Sequence, residues 1–164
     1  MSTIHLLVGV ILGLLPISEV RGAIPYVLIV MDGFSARIIG ITLSILANLL
    51  VPFIAYPILD LLDHLVKSRF TPSFIKNFYN WLLQLGRKRS LGLRRTSYIA
   101  LSLFVGIPLP GTGAWTGTLV AYVLGFDRKK SILAIEIGVL IASVIVLLVA
   151  YLGIDVLAKL FLAL

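Results

Sequence analysis

PISEVRGAIP, residues 16–25, decides how this chain folds. It sets Glu19 and Arg21 inside otherwise apolar sequence, between Pro16 and Pro25. Ionisable side chains at membrane depth are costly and face a cavity or a partner, so both are functional candidates. A second interruption, IPLPGTGAWTG at 107–117, breaks another apolar stretch. Broken hydrophobic segments in corresponding positions of two halves point to a binding site built by discontinuous helices.

Composition sets the class. Hydrophobic residues are 60% of the 164 and charged residues 13%, with a mean hydropathy of +1.11. A soluble domain is roughly half apolar and a quarter charged, so an integral membrane protein is expected. With no cysteine the chain can form no disulfide, thiolate metal site or cysteine nucleophile. A net charge of +7 would point to nucleic acid in a soluble chain. Here it reads as membrane topology and attraction to anionic headgroups, so lipids and not nucleic acids are the expected partners. The N-terminal MSTIHLLVGVILGLLP has no basic flank and no small-residue cleavage site, and is expected to be retained.

A spanning helix needs about 20 apolar residues. Ile38–Leu59 and Ile132–Leu152 meet that length. The arms flanking the two interruptions do not: Ile4–Leu15, Ala23–Met31, Tyr98–Ile107 and Ala114–Leu124 give only about 14–18 Å of helix each. Each interruption is therefore expected at the tip of a re-entrant hairpin. Pro16, Gly22 and Pro25 mark the first tip, and Pro108, Pro110, Gly111, Gly113, Trp115 and Gly117 the second. Basic residues test this topology. Segment 60–97 carries Lys67, Arg69, Lys76, Arg87, Lys88, Arg89, Arg94 and Arg95, which the positive-inside rule makes cytoplasmic. A re-entrant second hairpin keeps Arg128, Lys129 and Lys130 on that side too, leaving Arg37 and Lys159 outside. Two long kinked spanning helices are the alternative.

Pro16 and Pro108, and Gly33-Phe34 and Gly125-Phe126, share an offset of 92 residues. The fold expected is an all-α polytopic membrane protein, one domain of 1–164. Residues 1–59 and 98–164 form two inverted repeats, each a re-entrant helical hairpin plus a spanning helix. The basic cytoplasmic linker 60–97 joins them. Within it Thr71 can cap a helix with Pro72 at its first position. Phe74, Phe78, Trp81, Leu82 and Leu85 then share one face, and Gly86 ends the helix.

Glu19 and Arg21 offer paired chemistry. A guanidinium matches phosphate or carboxylate. Burial and Arg21 act in opposite directions on the Glu19 proton, which suits a carboxyl that gains and loses it. A structural ion pair tying the hairpin to its surroundings is the plainer reading. Glu136, four residues inside the second long segment, is either a second proton site or a partner of Arg128 or a lysine. Asn48 lines a cavity or bridges helices. Amides at the PGTG break can receive an anion, and Trp115 can stack on substrate or seal a gate. No metal or cofactor is expected, with the proton as candidate coupling ion. GTGAWTG misses the dinucleotide fingerprint by one residue and follows no strand. DGFSAR, 32–37, lacks the later residues of the CDP-alcohol phosphotransferase motif. No HExxH is present, and no enzymatic activity is expected.

PISEVRGAIP followed by VGIPLPGTGAWTGTLVAYVLG resembles the small multidrug export proteins, short prokaryotic membrane proteins, over nearly the whole chain. That family resembles, more distantly, the DedA proteins and their VTT-domain relatives. This resemblance implies two opposed re-entrant loops, acidic and arginine residues near them in proton-coupled function, and movement of lipid phosphates. Glu19 and Arg21 match the first loop; the second has Pro-Gly-Thr-Gly and no arginine. It also implies the plasma membrane of a prokaryote, crossed more than once. The expected function is a proton-coupled transporter that exports or flips an amphiphile with an anionic, lipid-phosphate-like headgroup. Export of cationic lipophilic drugs, and a non-transporting role in membrane assembly or lipid organisation, are the alternatives. Two full crossings are few to enclose a pathway, so a homo-oligomer, most simply a two-fold dimer, is expected.

Overall fold

The computed structural model describes residues 3–67, 72–89 and 97–162. Its elements are α1 (Thr3–Leu14), α2 (Glu19–Val30), α3 (Phe34–Leu49), α4 (Val51–Lys67), α5 (Ser73–Arg89), α6 (Tyr98–Gly106), α7 (Ala114–Val123) and α8 (Arg128–Leu162). Helix is the only regular secondary structure among the described residues. Two stretches, Phe34–Val66 and Arg128–Gly153, are long and apolar enough to cross a membrane. Thr71, Arg69, Arg94 and Arg95 lie outside the described residues.

The four short arms form two helical hairpins. In the first, His5 Nδ1 and the Tyr26 hydroxyl share a hydrogen bond of 3.0 Å across the open end. In the second, the Asp127 amide donates to the Tyr98 hydroxyl at 3.3 Å, and Tyr98 meets Phe126 edge-on. Each hairpin thus returns to the end from which it set out, which disfavours one kinked helix through Tyr98–Leu124. Each is followed by a turn on a left-handed glycine, Gly33 at φ +86° and Gly125 at φ +66°.

Packing repeats as well. The first arm of each hairpin lies on the long helix of its own half, α1 on α3 and α6 on α8. The second arm crosses to the other half, α2 onto α8 and α7 onto α4. Glycine allows the closest approaches. A Cβ on Gly13 would meet the Ser44 carbonyl, and one on Gly138 the Ser102 carbonyl. Between the halves sits one apolar core, with Val20, Ile24, Val51, Leu101, Val105, Ile135 and Val139 all buried.

The first long segment, expected over Ile38–Leu59, runs longer, over Phe34–Val66, with an interruption at Leu50, where Pro52 has no N–H for the Asn48 carbonyl. Two expectations are corrected. Gly86 does not end α5; it is buried, and a Cβ there would press on Val123 and Leu119 of α7. Pro25 does not bound the first tip but lies within α2, where its missing N–H leaves the Arg21 carbonyl without a helical partner. On the apolar face of α5, Leu82 and Leu85 are half-buried and Phe74, Phe78 and Trp81 exposed, and Phe78, Trp81, Leu82 and Leu85 line one cavity, as a shared face requires. Tyr79, expected on no face, is buried and donates to Asp63 Oδ1 at 2.8 Å, tying α5 to α4. Burial and the neighbouring Asp63 carboxylate push its phenol up.

Candidate functional site

The hairpin tips meet each other. A helix that stops in apolar surroundings leaves four carbonyls without intrahelical partners. At the end of α1 all four are supplied. Ile11 accepts from the Leu15 amide at 3.0 Å, and Leu12 from the Ser18 hydroxyl at 2.6 Å. Gly13 accepts from Asn48 Nδ2 at 2.7 Å, and Leu14 from Trp115 Nε1 at 2.8 Å. Asn48 is thus the bridge between α3 and α1, although its Oδ1 is buried without a partner. Trp115 closes the seam between the two tips.

Glu19 opens α2 at φ +49°, the one non-glycine residue at positive φ among those described. That conformation is strained for a side-chain-bearing residue and marks a position held by its surroundings. The Glu19 side chain is only 4% exposed, and its Oε2 lies 3.1 Å from Arg21 Nη2. Its Oε1 accepts from the Trp115 amide at 3.3 Å. Glu19 therefore caps the N-terminus of α7 from the opposite hairpin, where a carboxylate meets free N–H groups and the positive end of the helix.

The second tip answers with backbone. Leu109-Pro110-Gly111-Thr112 is a turn closed by the Thr112 amide donating to the Leu109 carbonyl at 3.1 Å. Proline second and glycine third, at φ +81°, is the type II signature. The Thr112 hydroxyl donates to the Ile107 carbonyl at 2.7 Å and fixes the turn further. Two of its carbonyls face the first tip: Arg21 Nη1 donates to Leu109 O and Nη2 to Thr112 O. Gly113 runs between the charges, and any Cβ there would overlap the Glu19 carboxylate and crowd Arg21 Nη2.

The structure thus joins Glu19, Arg21, Pro16, Pro108, Pro110, Gly111, Gly113 and Trp115 at one junction. Gly22 stands beside it in the first turn of α2, against Ser18, and Gly117 packs on Val105 one turn into α7. Pro25 and Arg21 line a shared outer cavity with Pro108 and the α8 residues 145–153. Glu136 is half-buried on α8, with no bond to the junction among the described residues. Arg128 does not pair with it but with Asp60, at 2.9 Å. The Trp115 amide, just past the PGTG break, is taken by Glu19 and does not stand open for an outside anion. Sequence reasoning missed Thr112, Ser18 and Leu14. Thr112 was visible as the last residue of a Pro-Gly-Thr turn; the other two act through position alone.

The described residues thus form two helical hairpins that meet at a largely buried ion pair, beside two helical stretches of membrane-crossing length. The chain belongs to the family described as "Putative small multi-drug export protein", whose model matches residues 19–145. No curated protein and no solved structure matches it.

Proposed function

We propose that the chain is a proton-coupled transporter of an amphiphile with an anionic headgroup, in which the two hairpin tips form the gate. The observation that carries this reading is the Glu19–Arg21 pair, buried where the tips touch. In this reading both hairpins re-enter the bilayer from opposite faces and the halves are inverted repeats. Arms of 9 to 12 residues reach about half of a 30 Å hydrocarbon core. The crossed packing of α2 on α8 and α7 on α4 fits two halves related by a pseudo-two-fold axis.

The contacts suit a coupled gate. With Glu19 ionised, its carboxylate holds Arg21 and the α7 amide, and Arg21 holds the two carbonyls of the second tip. A proton on Glu19 removes the charge that pairs Arg21 and weakens the cap on α7. The guanidinium then becomes available to an arriving anion. Proton and anion binding therefore promote each other, and an anion that draws Arg21 from Leu109 and Thr112 separates the tips. A cationic cargo would have to displace Arg21 from Glu19, so the cation reading has less support. Two crossings per chain leave the tips in need of further cover, and the proposed assembly is a homodimer.

Flux into proteoliposomes tests the reading. A fluorescent alkyl phosphate should move faster as pH falls, and Glu19→Gln should remove that dependence. Unchanged pH-dependent flux in Glu19→Gln and Arg21→Lys would refute it. Cysteines placed at exposed Ser35 and Lys129 should label from opposite faces; labelling from one face would remove the inverted repeat.

A further inference from the structure

A cleft of about 520 Å³ lies between α4, α5 and α7, walled by Ala55, Ile58, Leu82, Leu85 and Leu119, with Thr116 as its polar exception. Its floor at the hairpin junction is Pro16, Ile17 and Trp115. A second cavity, about 450 Å³, is lined by Ser18, Arg21 and Gly22 and by Pro108, Pro110 and Gly111 of the other tip. Pro16 and Ile17 line both. One space is hydrocarbon-like, the other holds a guanidinium, and a two-residue lip separates them. Ile17, at the lip, is 95% exposed.

From this juxtaposition we infer that the cleft takes the single hydrocarbon chain of an acidic amphiphile whose headgroup sits beside Arg21, bent over Pro16 and Ile17. The inference rests on the transport reading and names the substrate's shape. Among the described residues, Arg21 is the sole cationic side chain lining either cavity. Its three bonds, to Glu19, Leu109 and Thr112, leave two N–H donors, the Nε–H and one Nη1–H, on separate edges of the guanidinium, so a headgroup oxyanion accepts from one of them beside the cationic charge. The apolar walls supply affinity in proportion to the chain length covered. A neutral chain would gain only the second contribution and a small anion only the first, so the pair of cavities selects an amphiphile.

The chain's two tryptophans, Trp81 and Trp115, both line this cleft, so fluorescence reports its occupant directly. The full-length protein in nanodiscs of zwitterionic lipid would be titrated with a single-chain alkyl phosphate bearing two bromines, and with the matching brominated alcohol. Saturable quenching by the phosphate, with only linear quenching by the alcohol, is expected. Bromines near the headgroup should quench through Trp115, leaving a Trp115→Phe variant dim in response, and bromines near the far end should act on Trp81. Thr116→Phe, which fills the cleft, should abolish saturation. Arg21→Gln should weaken the phosphate by about tenfold, the loss of one charge-assisted pair. Equal saturation by alcohol and phosphate would overturn the headgroup assignment, and linear quenching by both would overturn the cleft. The bromine-position series on unaltered protein needs no variant to fold. Saturable quenching with pH-independent flux would leave the binding site standing and sink the transport reading. The reverse pattern would sink the site alone.

Discussion

The two hairpin tips differ in length, residues 15–18 against 107–113, and are opposite in chemistry. The first ends in capped carbonyls and presents two charged side chains, Glu19 and Arg21. The second presents main chain: two carbonyls for the guanidinium and one amide for the carboxylate. Neither is satisfied alone. A buried carboxylate needs paired charge and hydrogen bonds, and a broken helix in apolar surroundings needs partners for its freed backbone groups. Each half holds a helical hairpin, while charge belongs to one tip and backbone polarity to the other. In the proposed gate, opening breaks a few identifiable bonds and closing needs no second charged residue on the far side.

The largest expected effect comes from removing one charge. Arg21→Gln leaves the Glu19 carboxylate buried without its cation and should cost about 3 kcal/mol, the range for breaking a buried pair. Glu19→Gln should cost less, since its amide oxygen can still accept from the Trp115 N–H and Arg21 keeps two carbonyls. The double variant should be more stable than Arg21→Gln alone, because no uncompensated charge remains. Thermal unfolding in one detergent would measure all three. Strict additivity of the two single changes would show that the pair contributes nothing as a pair.

Gly113→Ala probes the same contact from the backbone side. Its methyl would sit in the Glu19 carboxylate, at φ +148°, so a loss of about 2 kcal/mol is expected from overpacking and strain together. Proton-coupled flux should fall with it, whereas Gly117→Ala, against the side chain of Val105, should lower stability and leave pH dependence alone. If both variants keep the pH profile of the parent, the second tip is a passive wall.

Much of this was legible from residue order. The four arms emerged within one to four residues of their ends because prolines, glycines and length limit a helix locally. Glu19 and Arg21 stood out because charge in apolar sequence is rare. What stayed hidden depends on who meets whom. Pro25 looked like a boundary, yet packing of α2 against α8 carries the helix through it. Asn48 stood out as lining a cavity or bridging helices; it does bridge α3 and α1, but its partner, a carbonyl 35 positions away, was not legible. Trp115 pointed to stacking on substrate or sealing a gate, and its indole N–H closes the end of α1. Helix-end accounting locates such partners only once the helices are assembled.

That accounting supplies the next test. Trp115→Phe removes the donor to Leu14 O and keeps most of the ring; Asn48→Leu removes the donor to Gly13 O and keeps the volume. Each leaves one buried carbonyl unpaired, so each should cost about 1–2 kcal/mol. Asn48→Leu should be the milder, because it also removes the buried Oδ1 that has no partner. A larger loss for Asn48→Leu would mean that Oδ1 has a partner in the membrane.

The smallest effect should fall on the hinges between hairpin and long helix. Gly33 and Gly125 both hold positive φ, and a Cβ at either would meet open space. Alanine there meets only a backbone penalty, and the two turns differ. Gly125 follows the end of α7 in the left-handed position, its amide on the Tyr122 carbonyl and the next on Ala121, so Gly125→Ala should lose about 1 kcal/mol. Gly33 caps α3 at ψ 141°, close to a region kept for glycine, so Gly33→Ala should lose more. Equal losses in thermal unfolding would mean that the two turns are alike and would confine the asymmetry of the halves to the junction of Glu19 and Arg21 with the second tip.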